Sequence, residues 1–184
     1  MIAKEKYNEI VDEILKNEFK GKTAIDATMG MGYDTEKLLK TVGENGKVYA
    51  FDIQNQAVAY CKNKFSTTNN LEILEVSNEY IDVIDNFDLV IYNLGYLPGS
   101  DKKITTTAMT TVISLSKAAN LMNVGGVIIV VSYLGHKNSE AEREAVEKFL
   151  KSLNQKQFIV EKREFFNQIN NPPIVYIVEK KNWK

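Results

Sequence analysis

The chain alternates short apolar runs with longer stretches in which apolar residues recur every three or four positions. The run Thr23-Ala24-Ile25-Asp26 reads as a buried strand. It breaks into Gly30-Met31-Gly32 and resumes as Tyr33-Asp34-Thr35-Glu36-Lys37-Leu38-Leu39, which suits a helix over about 34–42 ended by Gly43. Ahead of it, Tyr7, Ile10, Val11, Ile14, Leu15 and Phe19 fall on one face of a helix within 4–19, which is expected to pack on the sheet or on a partner molecule. Residues 47–52 form a second strand. Gln54-Asn55-Gln56 opens a helix holding Ala57, Val58, Tyr60, Cys61 and Phe65. A third strand covers 71–76, and Ser77 caps a short helix through Ile84.

The second half continues the pattern. Residues 87–92 read as a strand, 93–103 as a loop of turn formers, and 105–122 as a helix. Asn123-Val124-Gly125-Gly126 reads as a turn before an uninterrupted apolar strand at 127–131. A loop follows at 132–137, and Ser139 begins a charged helix with Ala141, Ala145, Val146, Phe149 and Leu150 inward. Residues 157–164 and 174–179 look like a final strand pair around the loop 165–173. Five alternations of strand and helix, then two consecutive strands, predict an α/β fold. Its sheet is seven-stranded and mostly parallel, with an antiparallel C-terminal hairpin at one edge and helices on both faces. Length fits one domain, 1–184, with the helix in 1–20 packed on it.

Composition narrows the setting. Hydrophobic residues make up 44%, enough for an ordinary core. No apolar run approaches the ~20 residues of a membrane span, and Met1–Lys6 lacks the apolar centre of a signal peptide. The one cysteine, Cys61, cannot form an internal disulfide and reads as a buried core thiol. A cytoplasmic protein without a membrane partner is the expectation. The net charge of −1 makes any nucleic-acid contact a matter of a local patch.

The glycine turn carries the first chemistry. It lacks both the G-x-G-x-x-G of a dinucleotide site and the Lys-Ser/Thr of a phosphate loop. Asp26 at the strand end would repel a pyrophosphate and suits a ligand bearing an ammonium or sulfonium; S-adenosylmethionine bears both. Asp52 follows Gly32 by twenty residues, where doubly wound folds hold ribose hydroxyls. The competing reading is that Asp26 caps a helix and Asp52 opens a turn. Four loops, 26–34, 52–55, 93–103 and 133–136, fall at strand carboxyl ends, where such sheets bind ligands. In the third, Asn93 can donate and accept at once, or satisfy its own backbone; Tyr96 between Gly95 and Pro98 offers a rigid aromatic wall. His136 is the only histidine, and both a catalytic and a surface role stay open. Lys102, Lys103 and Lys137 lie on the same side, and Asn170 and Asn171 add amides that suit an unstacked base. No metal-ligand spacing and no G-x-S-x-G elbow is present.

Four blocks then acquire a joint meaning: Asp26-Ala27-Thr28-Met29-Gly30-x-Gly32-x-Asp34-Thr35, Asn93-Leu94-Gly95-Tyr96-Leu97-Pro98-Gly99-x-Asp101-Lys102, Tyr133-x-Gly135-His136 and Asn170-Asn171-Pro172-Pro173. Together they resemble the small Rossmann-like class I S-adenosylmethionine-dependent methyltransferases labelled "putative rRNA methylase". Members of that family complete 5-methylaminomethyl-2-thiouridine at the tRNA wobble position. The resemblance implies N-methylation of an aminomethyl group in a tRNA anticodon stem-loop, with S-adenosylhomocysteine as the other product and no metal. It implies that Asp26, Thr28, Gly30 and Gly32, with Asp34 and Thr35, line the methionine end of the cofactor. Asp52, Gln54 and Ser77 would serve its nucleoside, and Asn93, Leu94 and Gly95 its sulfonium. Tyr96 and Pro98 would face the base, with Asp101, Lys102, Lys103, Tyr133, His136, Asn170 and Asn171 on the substrate side. Asn93, Tyr96, Asp101 and His136 are the implied catalytic set, and His136 or Asp101 would accept the amine proton. The chain departs from the family in Val76-Ser77-Asn78, where Asp-Ser-His is usual, in Leu134 for Pro, and in Asn138-Ser139 for a glycine pair. Two alternatives stand beside this reading: an rRNA or small-molecule amine methyltransferase, and a non-catalytic module binding nucleoside or RNA. A homodimer through the first helix or the edge strands is a further expectation.

Overall fold

A computed structural model describes residues 4–17, 19, 21–95, 107–133 and 139–182. Its elements run α1 (Tyr7–Asn17), β1 (Thr23–Asp26), α2 (Tyr33–Val42), β2 (Lys47–Phe51), α3 (Asn55–Lys64), β3 (Leu71–Leu74), a 3₁₀ turn (Asn78–Val83), β4 (Phe87–Leu94), α4 (Ala108–Leu121), β5 (Met122–Ser132), α5 (Ser139–Ser152), β6 (Phe158–Arg163) and β7 (Ile174–Lys180). The seven strands form one sheet in the order β3-β2-β1-β4-β5-β7-β6. The β1–β2, β1–β4, β2–β3 and β4–β5 pairs are parallel. Only β7 runs against its neighbours, between β5 and β6. This is the expected parallel sheet with a hairpin at one edge.

Side chains alternate across the sheet, as strand geometry requires. Ile25, Phe51, Val90, Tyr92, Ile128 and Val130 face Ile81, Leu115, Ala118, Val146 and Leu150, which come from the 3₁₀ turn, α4 and α5. Ala24, Val48, Leu89, Ile91, Ile129 and Val131 face Ile10, Val11, Ile14, Leu15 and Leu38 of α1 and α2. Ala50 meets Val58 and Cys61 of α3. The apolar face of α1 is therefore covered by this chain's own sheet, which takes away one of the two surfaces expected to hold a second copy; the edge strand β6 is the other.

Two expected boundaries move. Residues 123–126 lie inside β5, where the pairing jumps from Phe87↔Met122 to Leu89↔Val127. The extra residues loop out as an irregularity that Gly125 makes possible with φ 79°. β3 ends at Leu74, because its partner β2 runs out of ladder at Phe51. Within the described residues, no helix is long and apolar enough to cross a membrane.

The order β2-β1-β4-β5 makes the chain switch direction across the sheet between β1 and β4. Such a switch leaves a crevice at the strand carboxyl ends. Asp26 ends β1 there, and Asn93 lies near the end of β4.

Candidate active site

β1 leaves the sheet hydrogen-bonded to both neighbours. Ala27 N–H reaches the Ile91 carbonyl and Met29 N–H the Phe51 carbonyl, each at 2.9 Å. The chain then turns sharply at Gly30 and Gly32. Gly32 has φ 73°, and a Cβ there would stand 2.7 Å from the Phe65 ring and 2.9 Å from the Cys61 sulfur. The turn thus needs glycine for its dihedral and for the close passage of α3 beneath it.

The two acids expected at this rim both shape the turn. Asp26 is fully buried. Its Oδ1 accepts the Thr28 N–H at 3.1 Å and its Oδ2 accepts the Thr35 hydroxyl at 2.6 Å. Asp52 accepts the Gly30 N–H and the Gln54 N–H, both at 2.8 Å. Asp52 thus opens a turn, as the competing reading has it, whereas Asp26 caps no helix: Gly32 stands at the N-cap of α2 without a side-chain cap, and Asp26 accepts from the Thr28 N–H and the Thr35 hydroxyl. These local roles do not displace the ligand reading, because the charges accumulate at one place. Burial, then the neighbouring Asp34 carboxylate, raises the Asp26 carboxyl to about 7, against the hydrogen bonds from Thr35 and Thr28. A carboxyl held back from ionising first by burial and then by a neighbouring acid suits a site that takes a cation.

Asn93 closes the rim from β4. Its backbone N–H donates to the Thr28 hydroxyl at 2.7 Å, and its side-chain amide donates to Asp34 Oδ2 at 2.9 Å. Asn93 therefore does not satisfy its own backbone; it joins β4 to the first turn of α2. Leu94 is buried and Gly95 half-buried beside it. Tyr133 lies just past β5, two residues after Val131, the strand partner of Asn93. Burial, and then the Tyr7 hydroxyl, push the Tyr133 phenol well above the ordinary tyrosine range, so it stays protonated.

Ser77 caps the 3₁₀ turn, accepting the Glu79 N–H at 3.3 Å. Next to it, Asn78 is buried and donates its amide to the Ala27 carbonyl at 3.0 Å. The amide thus ties the 3₁₀ turn to the start of the glycine turn. Val76, in place of the usual acid, is partly exposed. Asn170 and Asn171 are exposed at the β6–β7 connection, on the same rim, since Ile174 pairs with Ser132 at the end of β5. Asn171 holds a left-handed φ of 45°. The expected site residues Tyr96, Pro98, Asp101, Lys102, Lys103 and His136 lie outside the described residues.

Sequence reasoning missed three supports of this rim. Lys64 of α3 donates to the Met31 and Gly32 carbonyls at 3.4 Å, pairs with Glu36 at 3.3 Å and sits over the Tyr33 and Phe65 rings. Lys37 pairs with Asp12 at 3.0 Å and approaches Asp34 at 3.8 Å. Tyr7 hydrogen-bonds Tyr133 through the two hydroxyls. Each joins segments distant in sequence, and a lone lysine or tyrosine carries no local sign of such a partner.

Comparison with known proteins places the chain in a family. The model of the family described as "Putative rRNA methylase" matches residues 48–179. This chain belongs to that family. A chloroplastic tRNA (mnm(5)s(2)U34)-methyltransferase of Arabidopsis thaliana is 34% identical over 185 residues, covering 89% of the chain. The chain spans 65% of that relative's length. The crystal structure of a "putative rRNA-methylase" from Clostridium thermocellum is 40% identical with TM-score 0.90, covering 98% of this chain and 100% of that one. A methyltransferase from Streptococcus mutans, solved in complex with SAH, is 33% identical with TM-score 0.84, covering 98% and 99%. The family member described here is an S-adenosylmethionine-dependent methyltransferase of the class I fold.

Proposed function

We propose that this methyltransferase acts on RNA, and that its acceptor is the aminomethyl group of 5-aminomethyl-2-thiouridine at the tRNA wobble position. The observation that carries the acceptor is the Arabidopsis relative, whose name states that chemistry and whose identity extends over 89% of this chain. The structural support is that, among the described residues, Asp26, Asp34 and Asp52 gather at the rim while Lys37 and Lys64 are paired with Asp12 and Glu36. Such a rim fits the cationic cofactor.

S-adenosylmethionine supplies a methyl group made electrophilic by its sulfonium. The chain's own residues do the rest. Gly30 and Gly32 let the backbone approach the methionine end, in a turn held by Asp26, Thr28 and Thr35. Asp52 and Gln54 face the ribose and adenine side, with Ser77 nearby. Asn93, fixed by Thr28 and Asp34, stands with Leu94 and Gly95 beside the reacting atoms. Tyr133 remains a phenol and serves as a hydrogen-bond partner rather than a base. A pocket that places a cation beside a primary amine favours the neutral, nucleophilic amine, and holding it in line supplies much of the rate. Tyr96, Pro98, Asp101, Lys102, Lys103 and His136 belong to the acceptor side in this reading, and Asn170 and Asn171 to the RNA contact.

The test is methyl transfer from labelled cofactor to tRNA of a cell lacking this protein. Label in the wobble nucleoside is expected. Label confined to rRNA, or transferred only to small amines, would move the acceptor to one of those classes.

A further inference from the structure

We infer that α1 is part of the active site, and that Tyr7 is a positioning residue for Tyr133 and Asn93. This rests on the reading that those two residues face the reacting groups. A path across the rim starts and ends on α1. The Tyr7 hydroxyl meets the Tyr133 hydroxyl. The two rings stand edge to face, with centroids 5.6 Å apart and planes at 76°. Asn93 pairs across the sheet with Val131, two residues before Tyr133 and on the same face. Asn93 donates to Asp34 at 2.9 Å. Asp34 faces Lys37 at 3.8 Å, and Lys37 returns to Asp12 of α1 at 3.0 Å.

A helix that merely covered the sheet would need neither contact. Ile10, Val11, Ile14 and Leu15 already provide that cover. Tyr7 and Asp12 add two polar tethers on either side of the Asn93–Asp34 pair. Together they fix the rotation and height of α1 against the rim. They also limit the rotamers of Tyr133 and Asn93, whose contacts come from different strands. Tyr133 immediately follows the last residue of β5 and is held there by a partner 126 residues away. Without the Tyr7 hydroxyl the Tyr133 phenol loses the partner that fixes its oxygen beside Asn93. A shift of about 1 Å at a reacting centre costs as much as a hundredfold in rate.

The experiment compares wild type, Tyr7→Phe, Tyr133→Phe and the double variant. Phenylalanine keeps the edge-to-face ring contact and removes only the hydroxyl. On tRNA from a cell lacking this protein, Tyr7→Phe is expected to lower kcat about tenfold. Cofactor affinity by calorimetry should stay within about twofold, and the melting temperature within a few degrees. The double variant should be no slower than Tyr133→Phe alone, because one interaction is removed in either case. Unchanged kcat in Tyr7→Phe, or loss of melting temperature without loss of kcat per folded molecule, overturns the inference and leaves the proposed function standing. If wild type transfers no methyl to this RNA, the proposed acceptor fails instead. Crystal structures with S-adenosylhomocysteine then decide the inference. In Tyr7→Phe the Tyr133 ring should move and the Asn93 amide should part from Asp34; an unmoved pair overturns it.

Discussion

The Asn93 side-chain amide donates to the Asp34 carboxylate at 2.9 Å, which ties the end of β4 to the first turn of α2 across the sheet's switch point. The bond holds Asn93 in one orientation at the rim, and its loss should be felt in the chemistry more than in the fold. Asn93→Ala is expected to reduce kcat by about 10- to 100-fold. Its stability cost should be about 1 kcal/mol, the worth of one hydrogen bond. Single-turnover kinetics and thermal melting measure the two separately.

The acids around the glycine turn predict a pH dependence. The Asp26 carboxyl is raised from 3.8 to about 7 in the folded protein, by burial and by Asp34. A raised acid binds its proton more tightly folded than unfolded. Its contribution to stability is fullest below about pH 4 and is lost as pH climbs to 7. A cation bound at the rim favours the ionised form. Cofactor affinity should therefore strengthen as pH rises from 6 to 8, with proton release seen by calorimetry in two buffers of different ionisation enthalpy. Asp26→Asn keeps an acceptor for Thr28 and removes the buried charge, so the melting temperature at pH 8 should fall less relative to acidic pH than in wild type. The same substitution should also flatten the pH dependence of binding.

Gly32→Ala places a methyl 2.7 Å from the Phe65 ring, at a backbone φ of 73°. The expected loss is about 1–3 kcal/mol of stability, from strain and from displacing α3. Cofactor binding should weaken with it. Lys64→Ala tests the same turn without strain. It should raise the cofactor Kd by a few-fold through loosening of the Met31 and Gly32 carbonyls, with little effect on RNA affinity.

Much of this was legible in the chain. The strands announced themselves because both faces of a parallel sheet are buried, so Val90, Ile91 and Ile128–Val131 had to be apolar without interruption. The glycine turn and its two acids were legible because turn, helix start and second strand are consecutive in sequence. The looped-out stretch at 123–126 looked like a turn between elements, since glycine pairs signal a break; the pairing of β5 with β4 on either side of it is a long-range fact. The same limit hid Lys64, Lys37 and the Tyr7 hydroxyl. Tyr7 was counted only as one more apolar residue on a helix face. The tie from Asn78 to Ala27 was equally invisible, because it spans 51 residues.

The proposed RNA contact at the β6–β7 connection can be tested apart from the cofactor. Phe166 and Ile169 are almost wholly exposed beside the amides of Asn170 and Asn171. Aromatic faces and amides on one rim suit an unstacked base. Replacing Phe166 and Ile169 by alanine should raise the KM for tRNA several-fold, since stacking on one base is worth about 1–3 kcal/mol. Cofactor affinity and melting temperature should be unchanged, because neither side chain is packed against the core.

The most direct test of the account is nucleoside mass analysis of tRNA, taken from a cell lacking this protein and incubated with the purified enzyme and S-adenosylmethionine. The account predicts that 5-aminomethyl-2-thiouridine disappears as its singly N-methylated form appears, and that neither change occurs without the cofactor. Persistence of the unmethylated nucleoside under conditions where the enzyme binds cofactor would contradict it.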